Sequence, residues 1–470
     1  MMQVWPLRFR DLDDRRTILA DESGAYFLAD SGFVKRYARD VLTPSDKKFL
    51  RDKGHAFEWE GDLAHTGFLT RWSRRQHVGG GAAYVILIPT LRCDLKCSYC
   101  QVSRAPFAAQ GFDWDDETLQ KVLGFLGGLP VEEIQIEFQG GEPFLRLDLL
   151  QAVAAFARRR FRRVRFVVCS NLQTLGEDVL AFLKSEDVLI STSLDGPHQV
   201  HTRNRTGDDA LTDIFLRNLE QVIGLVGLER ISALPTIDMD DPPDPEDLIA
   251  AYEEFGFTSL YLRPVNYQGF ARKSHPAART SINWNDYYRG FVEALIARNA
   301  RTGRVMEEYY LAHCLRRILA TGVDGHTDLR NPNIPTGANA VIDFDGQIYP
   351  SDEARMLARI RQVDLSIGNV SDGLDQKKLA VLAPGHINNF DPDCIHCPYQ
   401  PFCGTDPIDD LSRSGRIDVP RRESWFCQRH LAAFDLAMEL IYSRDPAVEF
   451  SLSRWLGLEN IPEQLSPVAP

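Results

Sequence analysis

Long hydrophobic runs are missing from these 470 residues. The apolar run YVILI at 84–88 is far too short to cross a bilayer. The start, MMQVWPLRFRDLDDRR, lacks the basic n-region and apolar h-region of a signal peptide. A net positive charge is also missing. The formal net charge of −13 argues against a nucleic-acid partner, whose phosphates call for a basic face. These absences predict a cytoplasmic protein that binds neither membrane nor nucleic acid. Composition is otherwise that of a soluble globular chain, 44% apolar and 25% charged, and the length suggests about three domains. Cysteine is not scarce: there are nine. A reducing compartment disfavours a disulfide framework and points to metal ligation or catalysis.

The chain divides by rhythm. Residues 1–78 hold short strand-like runs (PLRFR, TILAD, AYFLAD), a turn at Ser23-Gly24, helical stretches near 31–41 and 44–53, and an apolar GFL at 67–69. From residue 84 strands and helices alternate. YVILIPT, EIQIEFQ, VRFVVCSN, VLISTSLD, ISALPTID and SLYLRPV read as strands; 116–127, 145–159, 176–185, 209–226 and 245–255 read as helices. Repeated β-then-α units predict a parallel sheet with helices outside, curled into a full or partial barrel with its site at the carboxyl ends of the strands. Residues 280–330 read as helical. NAVIDFDGQIYP (339–350) reads as a hairpin turning at Asp345-Gly346. Residues 390–430 read as irregular, and the last forty as helical before a tail. The expected units are 1–78, 79–275, 276–335 (a helical bridge), 336–435 and 436–470.

Seven cysteines fall into two groups. Cys93, Cys97 and Cys100 follow the first predicted strand in LRCDLKCSYCQ. Thiolates at this density suit an iron–sulfur cluster or zinc, and an open ligand position marks a reactive site. Cys394, Cys397 and Cys403 lie in CIHCPYQPFC, with Cys427 beyond. By count, four thiolates hold zinc or a [4Fe–4S] cluster equally well. Cys169, in a strand, and Cys314, in LAHCLRRIL, read as core residues.

C-x3-C-x-Y-C after a first strand resembles the cluster loop of radical S-adenosylmethionine (SAM) enzymes. The resemblance implies a partial (β/α)6 radical SAM barrel. Cys93, Cys97 and Cys100 then hold a [4Fe–4S] cluster, Tyr99 belongs to the cofactor loop, and SAM takes the fourth iron. Gly140-Gly141-Glu142-Pro143 resembles the family's GGEP motif; the two glycines let backbone approach a ligand, and Glu142 accepts from the SAM amino group. Ser170 and Asn171 match a position that hydrogen-bonds SAM, though both are ordinary turn residues. SLDGP (193–197) resembles the SLDG motif, so that Ser193 and Asp195 face the cofactor; Asp195 is also a plain turn former. Asp195 and Arg263 are the candidate catalytic residues, Arg263 facing the SAM carboxylate or the substrate.

The second cysteine group resembles the SPASM extension of peptide-modifying radical SAM enzymes and implies one auxiliary [4Fe–4S] cluster, two clusters in all. Asp406 and Ser351 stand where a second auxiliary cluster would take ligands. Residues 1–78 resemble the PqqD-like, winged-helix-like element that captures a leader peptide as an added strand. The basic run RRRFRRVR, 158–165, is a solvated face or a dock for an acidic leader. The layout is most similar to maturases of His-Xaa-Ser peptide systems. It implies a precursor peptide as substrate, flavodoxin or ferredoxin as electron donor, and a radical-made intrapeptide cross-link. Formylglycine formation, peptide epimerisation and a catalytically silent peptide-binding protein are the alternatives.

Overall fold

The computed structural model describes residues 2–76, 83–320, 329, 331, 339–383 and 387–470. The expected boundary at 78/79 and most of 321–338, where the helical bridge was expected to end, lie outside the described residues.

Five barrel strands run parallel in one sheet: Ala83–Leu87, Glu133–Phe138, Arg163–Cys169, Val188–Thr192 and Ile231–Ala233. Alternate residues point outward. Val85, Ile134, Ile136, Phe138, Phe166 and Val168 pack beneath helices Asp116–Gly127 and Leu147–Arg160, whose Val122, Leu126, Leu150 and Val153 are fully buried. The helices start where capping predicts. Asp115 accepts from Thr118 N, and Asp244 precedes Pro245 at the first turn of Pro245–Glu254.

The last two predicted strands break. The fifth stops at Ala233 and resumes as Thr236–Ile237, because Pro235 lacks a ladder donor. The sixth splits into Ser259–Leu260 and Arg263–Pro264, and the latter pairs with Thr236–Ile237. The hairpin at Asp345-Gly346 forms, with Gly346 at φ 77°. Its first strand, Asn339–Ile342, pairs in parallel with Ala83–Leu87, so the hairpin extends the barrel sheet beyond the first strand.

Two expectations are corrected. Residues 390–430 are not merely irregular: Pro407–Ser414 is helical, capped by Asp406 with Pro407 at its first position, and Trp425–Ile441 begins there. The apolar GFL lies inside a 14-residue helix, Leu63–Gln76, whose Gly67 and lack of apolar periodicity hid it.

The N-terminal region builds a three-stranded antiparallel sheet from Arg8–Asp11, Thr17–Ala20 and Tyr26–Ala29, followed by helices Ser31–Ala38, Pro44–Asp52 and Leu63–Gln76. Its outer strand is covered by the chain's own tail. Leu28 N donates to Pro467 O at 2.9 Å, and Ala469 N donates to Leu28 O at 2.8 Å. The opposite edge leans on the C-terminal region, where Arg10 forks onto both oxygens of Asp435 at 2.7 Å and Arg8 reaches Gln400 Oε1 at 2.8 Å.

Half of the basic run serves local anchoring. Arg158 forks onto Asp187, Arg162 pairs with Glu132 and Glu133, and Arg160 donates to the carbonyls of Gly127 and Leu129.

Candidate functional site

A cavity of about 670 Å³ opens at the carboxyl ends of the barrel strands. Cys93, Cys97, Cys100 and Tyr99 line it from the loop after the first strand. Gly140 and Gly141 come from the second, Ser170 and Asn171 from the third, Ser193 from the fourth and Arg263 from the last. The structure therefore brings most of the sequence-derived site residues to one space.

The two glycines have a packing reason beside the expected one. A Cβ on Gly140 would sit 2.1 Å from Thr90 O, and one on Gly141 would sit 2.0 Å from Arg92 O. They admit the backbone of the cysteine loop, which accepts from Gly141 N at Thr90 O (3.0 Å) and from Glu142 N at Arg92 O (2.8 Å). Glu142 lies behind that contact, almost fully buried. Its carboxylate accepts from Phe144 N (3.1 Å), Ser170 Oγ (2.9 Å) and Asn171 N (2.8 Å), which fastens strand end two to strand end three. Burial still pushes its pKa up to about 7. Asn171 Nδ2 donates to Asp94 Oδ1 at 2.6 Å and lies 3.8 Å from Cys93 Sγ.

Asp195 does not reach the cavity wall. It is fully buried and accepts from Tyr99 OH (2.6 Å), Asn204 Nδ2 (3.2 Å) and Thr236 N (3.3 Å). Its position ties the cysteine loop to the fifth strand. Sequence reasoning missed Arg205. It sits on a π-helical turn, Thr202–Thr206, that ends at Gly207 with φ 68°. Arg205 Nη1 donates to Tyr99 OH at 2.9 Å, and its charge acts on Cys97 and Asp195. The signal was HTRNRTG, a basic stretch just after SLDGP; such π-turns gather at functional sites.

Cys169 is corrected from core to cavity wall. Strand alternation decides this: Phe166 and Val168 face the helices, so Cys169 faces inward, its Sγ donating to Glu137 Oε1 at 3.1 Å. The inner wall continues as Tyr84, Gln135, Glu137, Gln139 and Ser191. A parallel sheet buried on both faces is normally apolar throughout. This one carries polar residues on its inner face, the face that lines the cavity. Cys314 stays in the core, fully buried in helix Tyr309–Leu319.

A second cavity of about 550 Å³ collects Cys394, Cys397, Cys403 and Cys427. Phe9, Arg10 and Asp11 of the N-terminal sheet form part of its wall. Cys427 lies in the first turn of Trp425–Ile441, where the helix dipole favours a thiolate. Asp406 and Ser351 are both N-caps: Asp406 accepts from Ile408 N and Asp409 N, and Ser351 from Ala354 N.

The donor sets fit iron–sulfur clusters better than single ions. Four thiolates on one zinc ion, each at about 2.3 Å, place neighbouring sulfurs about 3.8 Å apart. Among the described residues, no three cysteine sulfurs all lie within 4.8 Å of one another. Burial pushes the Cys93, Cys97, Cys394, Cys397 and Cys403 thiols up, and Cys427 up to about 12. Coordination is what deprotonates such thiols.

Residues 87–244, the segment that supplies most of the first cavity, match the Radical SAM superfamily. These residues are a radical SAM domain. It is an enzyme domain, and SAM and an iron–sulfur cluster are its cofactors. Among curated relatives, an uncharacterised protein of Methanocaldococcus jannaschii is 26% identical over 118 residues, a match covering 25% of this chain and 40% of that protein. A cysteine-type anaerobic sulfatase-maturating enzyme of Clostridium novyi is 23% identical over 345 residues, covering 66% of this chain and 83% of that one. The fold is similar to native anSMEcpe with bound AdoMet (TM-score 0.59, 18% identity, 75% of this chain and 96% of that one). It is also similar to Streptococcus suis SuiB bound to its precursor peptide SuiA (TM-score 0.52, 11% identity, 91% of this chain and 100% of that one). A match over 91% of the chain has to include part of residues 1–78; one over 75% need not.

Proposed function

We propose that this protein is a maturase of a ribosomally made peptide that removes hydrogen from the peptide and closes an intrapeptide cross-link, most simply a carbon–carbon bond at an aromatic or His ring. The observation that carries the reading is the first cavity, where three loop cysteines face a polar chamber large enough for a cofactor and a side chain. Cys93, Cys97 and Cys100 would hold a [4Fe–4S] cluster, with SAM seated against Gly140, Gly141, Ser170, Asn171 and Ser193. Bound there, SAM with a reduced cluster would supply radical hydrogen-abstraction chemistry. The chain's own residues do the positioning. Arg205 and Arg263 present cations to a carboxylate-bearing ligand, Asp195 fixes Tyr99 and the cysteine loop, and the Glu137 wall offers acceptors to the substrate. Holding one C–H bond against the reactive group is a proximity effect.

Replacing Arg205 with Met is expected to lower SAM cleavage about 10- to 100-fold, as loss of an outer partner at a metal site typically does. Arg205→Lys should recover part of it; equal activity in all three proteins would remove Arg205 from the site.

Cys394, Cys397, Cys403 and Cys427 fit an auxiliary [4Fe–4S] cluster with all four positions filled by protein, suited to carrying electrons. Flavodoxin or ferredoxin is the proposed donor. The precursor is proposed to carry His-Xaa-Ser repeats and to dock its leader on residues 1–78. Three things support docking there: a small sheet with helices, an exposed Leu63, Leu69 and Trp72 on its third helix, and a SuiB-like fold that extends into this region. The tail at Pro467–Ala469 already covers the strand Tyr26–Ala29. Deleting residues 466–470 should therefore tighten peptide binding about tenfold, the net worth of one to two backbone hydrogen bonds. Unchanged affinity in calorimetry would place the leader elsewhere.

A second reading, formylglycine formation, is favoured by the higher TM-score of anSMEcpe and by the Clostridium novyi relative. Mass spectrometry of the co-expressed precursor separates the two. A cross-link keeps every side chain and loses two hydrogens, whereas formylglycine replaces a Cys or Ser.

A further inference from the structure

Beside the Cys97–Cys100 loop, but sharing none of its thiols, Asp238, Asp240 and His275 converge. A ligand atom from each lies within 4.8 Å of the others, the one such group of three among the described residues. His275 Nδ1 is 2.9 Å from Asp238 Oδ2 and 3.9 Å from Asp240 Oδ2. His275 is 5% exposed; Asp238 and the Ser98 backbone both act on its ring, yet neither ring nitrogen meets a partner in aligned hydrogen-bond geometry. The 2.9 Å approach is therefore close without being aligned. An ordinary His–Asp pair puts the carboxylate oxygen on the N–H axis. Two ligands of one ion instead aim their lone pairs at a third point. At metal–ligand distances of about 2.1 Å, such ligands stand roughly 3 to 4 Å apart.

We propose that Asp238, Asp240 and His275 bind one divalent cation of the borderline-to-hard class (Mn²⁺, Fe²⁺, Co²⁺ or Zn²⁺), separate from the cysteine-held groups. One imidazole and two carboxylates suit that class rather than Ca²⁺ or Cu⁺. Asp240 N donates to Asp238 Oδ1 at 3.0 Å, which turns Oδ2 toward His275. Asp240 is 39% exposed on its side chain, so water completes the coordination. Arg203, the other cation acting on Asp238, is itself held by Asp241, at the carboxylate and at the carbonyl (2.8 Å).

The placement gives the ion a task. Asp238 directly follows the strand Thr236–Ile237. His275 belongs to a strap, 265–278, that packs Val265, Tyr267, Ala271 and Ala278 on Tyr99. Strap and cysteine loop touch so closely that a Cβ on Gly269 would lie 2.5 Å from Gln101 O, and Ser274 Oγ donates to Ser98 O at 3.4 Å. An ion joining Asp238 to His275 clamps the strap over the Cys97–Cys100 loop.

The test is a Mn²⁺ titration of the anaerobic, iron-loaded full-length protein, following the free-Mn²⁺ signal by electron paramagnetic resonance. Mn²⁺ prefers carboxylate and imidazole to thiolate, so the cysteine groups do not compete. One Mn²⁺ per chain is expected for the wild type and for Cys394→Ala/Cys397→Ala. Asp240→Asn, at a partly exposed position, should bind at least about tenfold more weakly while keeping the wild-type iron content. No Mn²⁺ uptake by the wild type, or equal uptake by Asp240→Asn, overturns the site and leaves a plain His275–Asp238 ion pair. Neither result bears on whether SAM is cleaved.

Discussion

Cys97→Ala is expected to bring SAM cleavage down to background, a loss of more than about a hundredfold, because even outer partners of a metal site are worth about 10- to 100-fold. The Arg205 charge acts on Cys97, and its neighbour Ser98 donates its amide to Asn204 O at 2.8 Å. The loop is held by its backbone and by Tyr99, whose hydroxyl lies between Asp195 and Arg205. Removing one thiol therefore leaves the fold standing while the proposed cluster would lose a ligand. Cleavage that survives in anaerobic assays would mean the loop does not hold the cluster.

Much of the first cavity was legible because its chemistry is local in sequence. Three cysteines in ten residues, Gly-Gly-Glu and Ser-Leu-Asp each sit at one strand end, and strand ends meet at one rim of a barrel. Two features have long-range reasons that the sequence does not carry. The glycines at 140 and 141 answer to a neighbouring backbone, which a sequence does not display. Asp195 shares a turn with Ser193, but its side chain goes to Tyr99, a partner 96 residues away. The polar inner wall was available in EIQIEFQ, where Gln135, Glu137 and Gln139 alternate with Ile134, Ile136 and Phe138. The same alternation places Cys169. HTRNRTG marks Arg205 only as part of a basic stretch; a π-turn, not a motif, aims it.

The N-terminal region shows the opposite balance. Its strands and first two helices follow from Gly24, the Thr43–Asp46 capping box and short apolar runs. What they pack against did not follow. Arg10 on Asp435 and Phe9 beside the four cysteines couple this region to the second cavity, contacts that span more than 380 residues of chain. Deleting residues 1–78 would strip that wall, so point changes on the docking strand probe leader capture more cleanly.

The second large effect is expected at those four cysteines. The reconstituted protein should carry about eight irons per chain, and Cys394→Ala/Cys397→Ala about four. SAM cleavage should persist in the variant, because the two cavities are built from separate loops. Peptide product should fall by at least about a hundredfold, because the proposed cross-linking leaves one electron that this group is proposed to accept. A count of about twelve irons would show a further cluster, with ligands other than Asp406 and Ser351 in their capping roles. A variant that still cross-links at the wild-type rate would make the four cysteines structural.

One measurement reaches the central claim directly: the mass and fragmentation of the precursor peptide after co-expression with this protein under anaerobic conditions. The account predicts a product lighter by two hydrogens per event, with fragmentation silenced between the joined residues, and none in the Cys97→Ala strain. An unchanged mass with inverted residues, or a precursor left wholly unmodified by an enzyme that cleaves SAM, would contradict it.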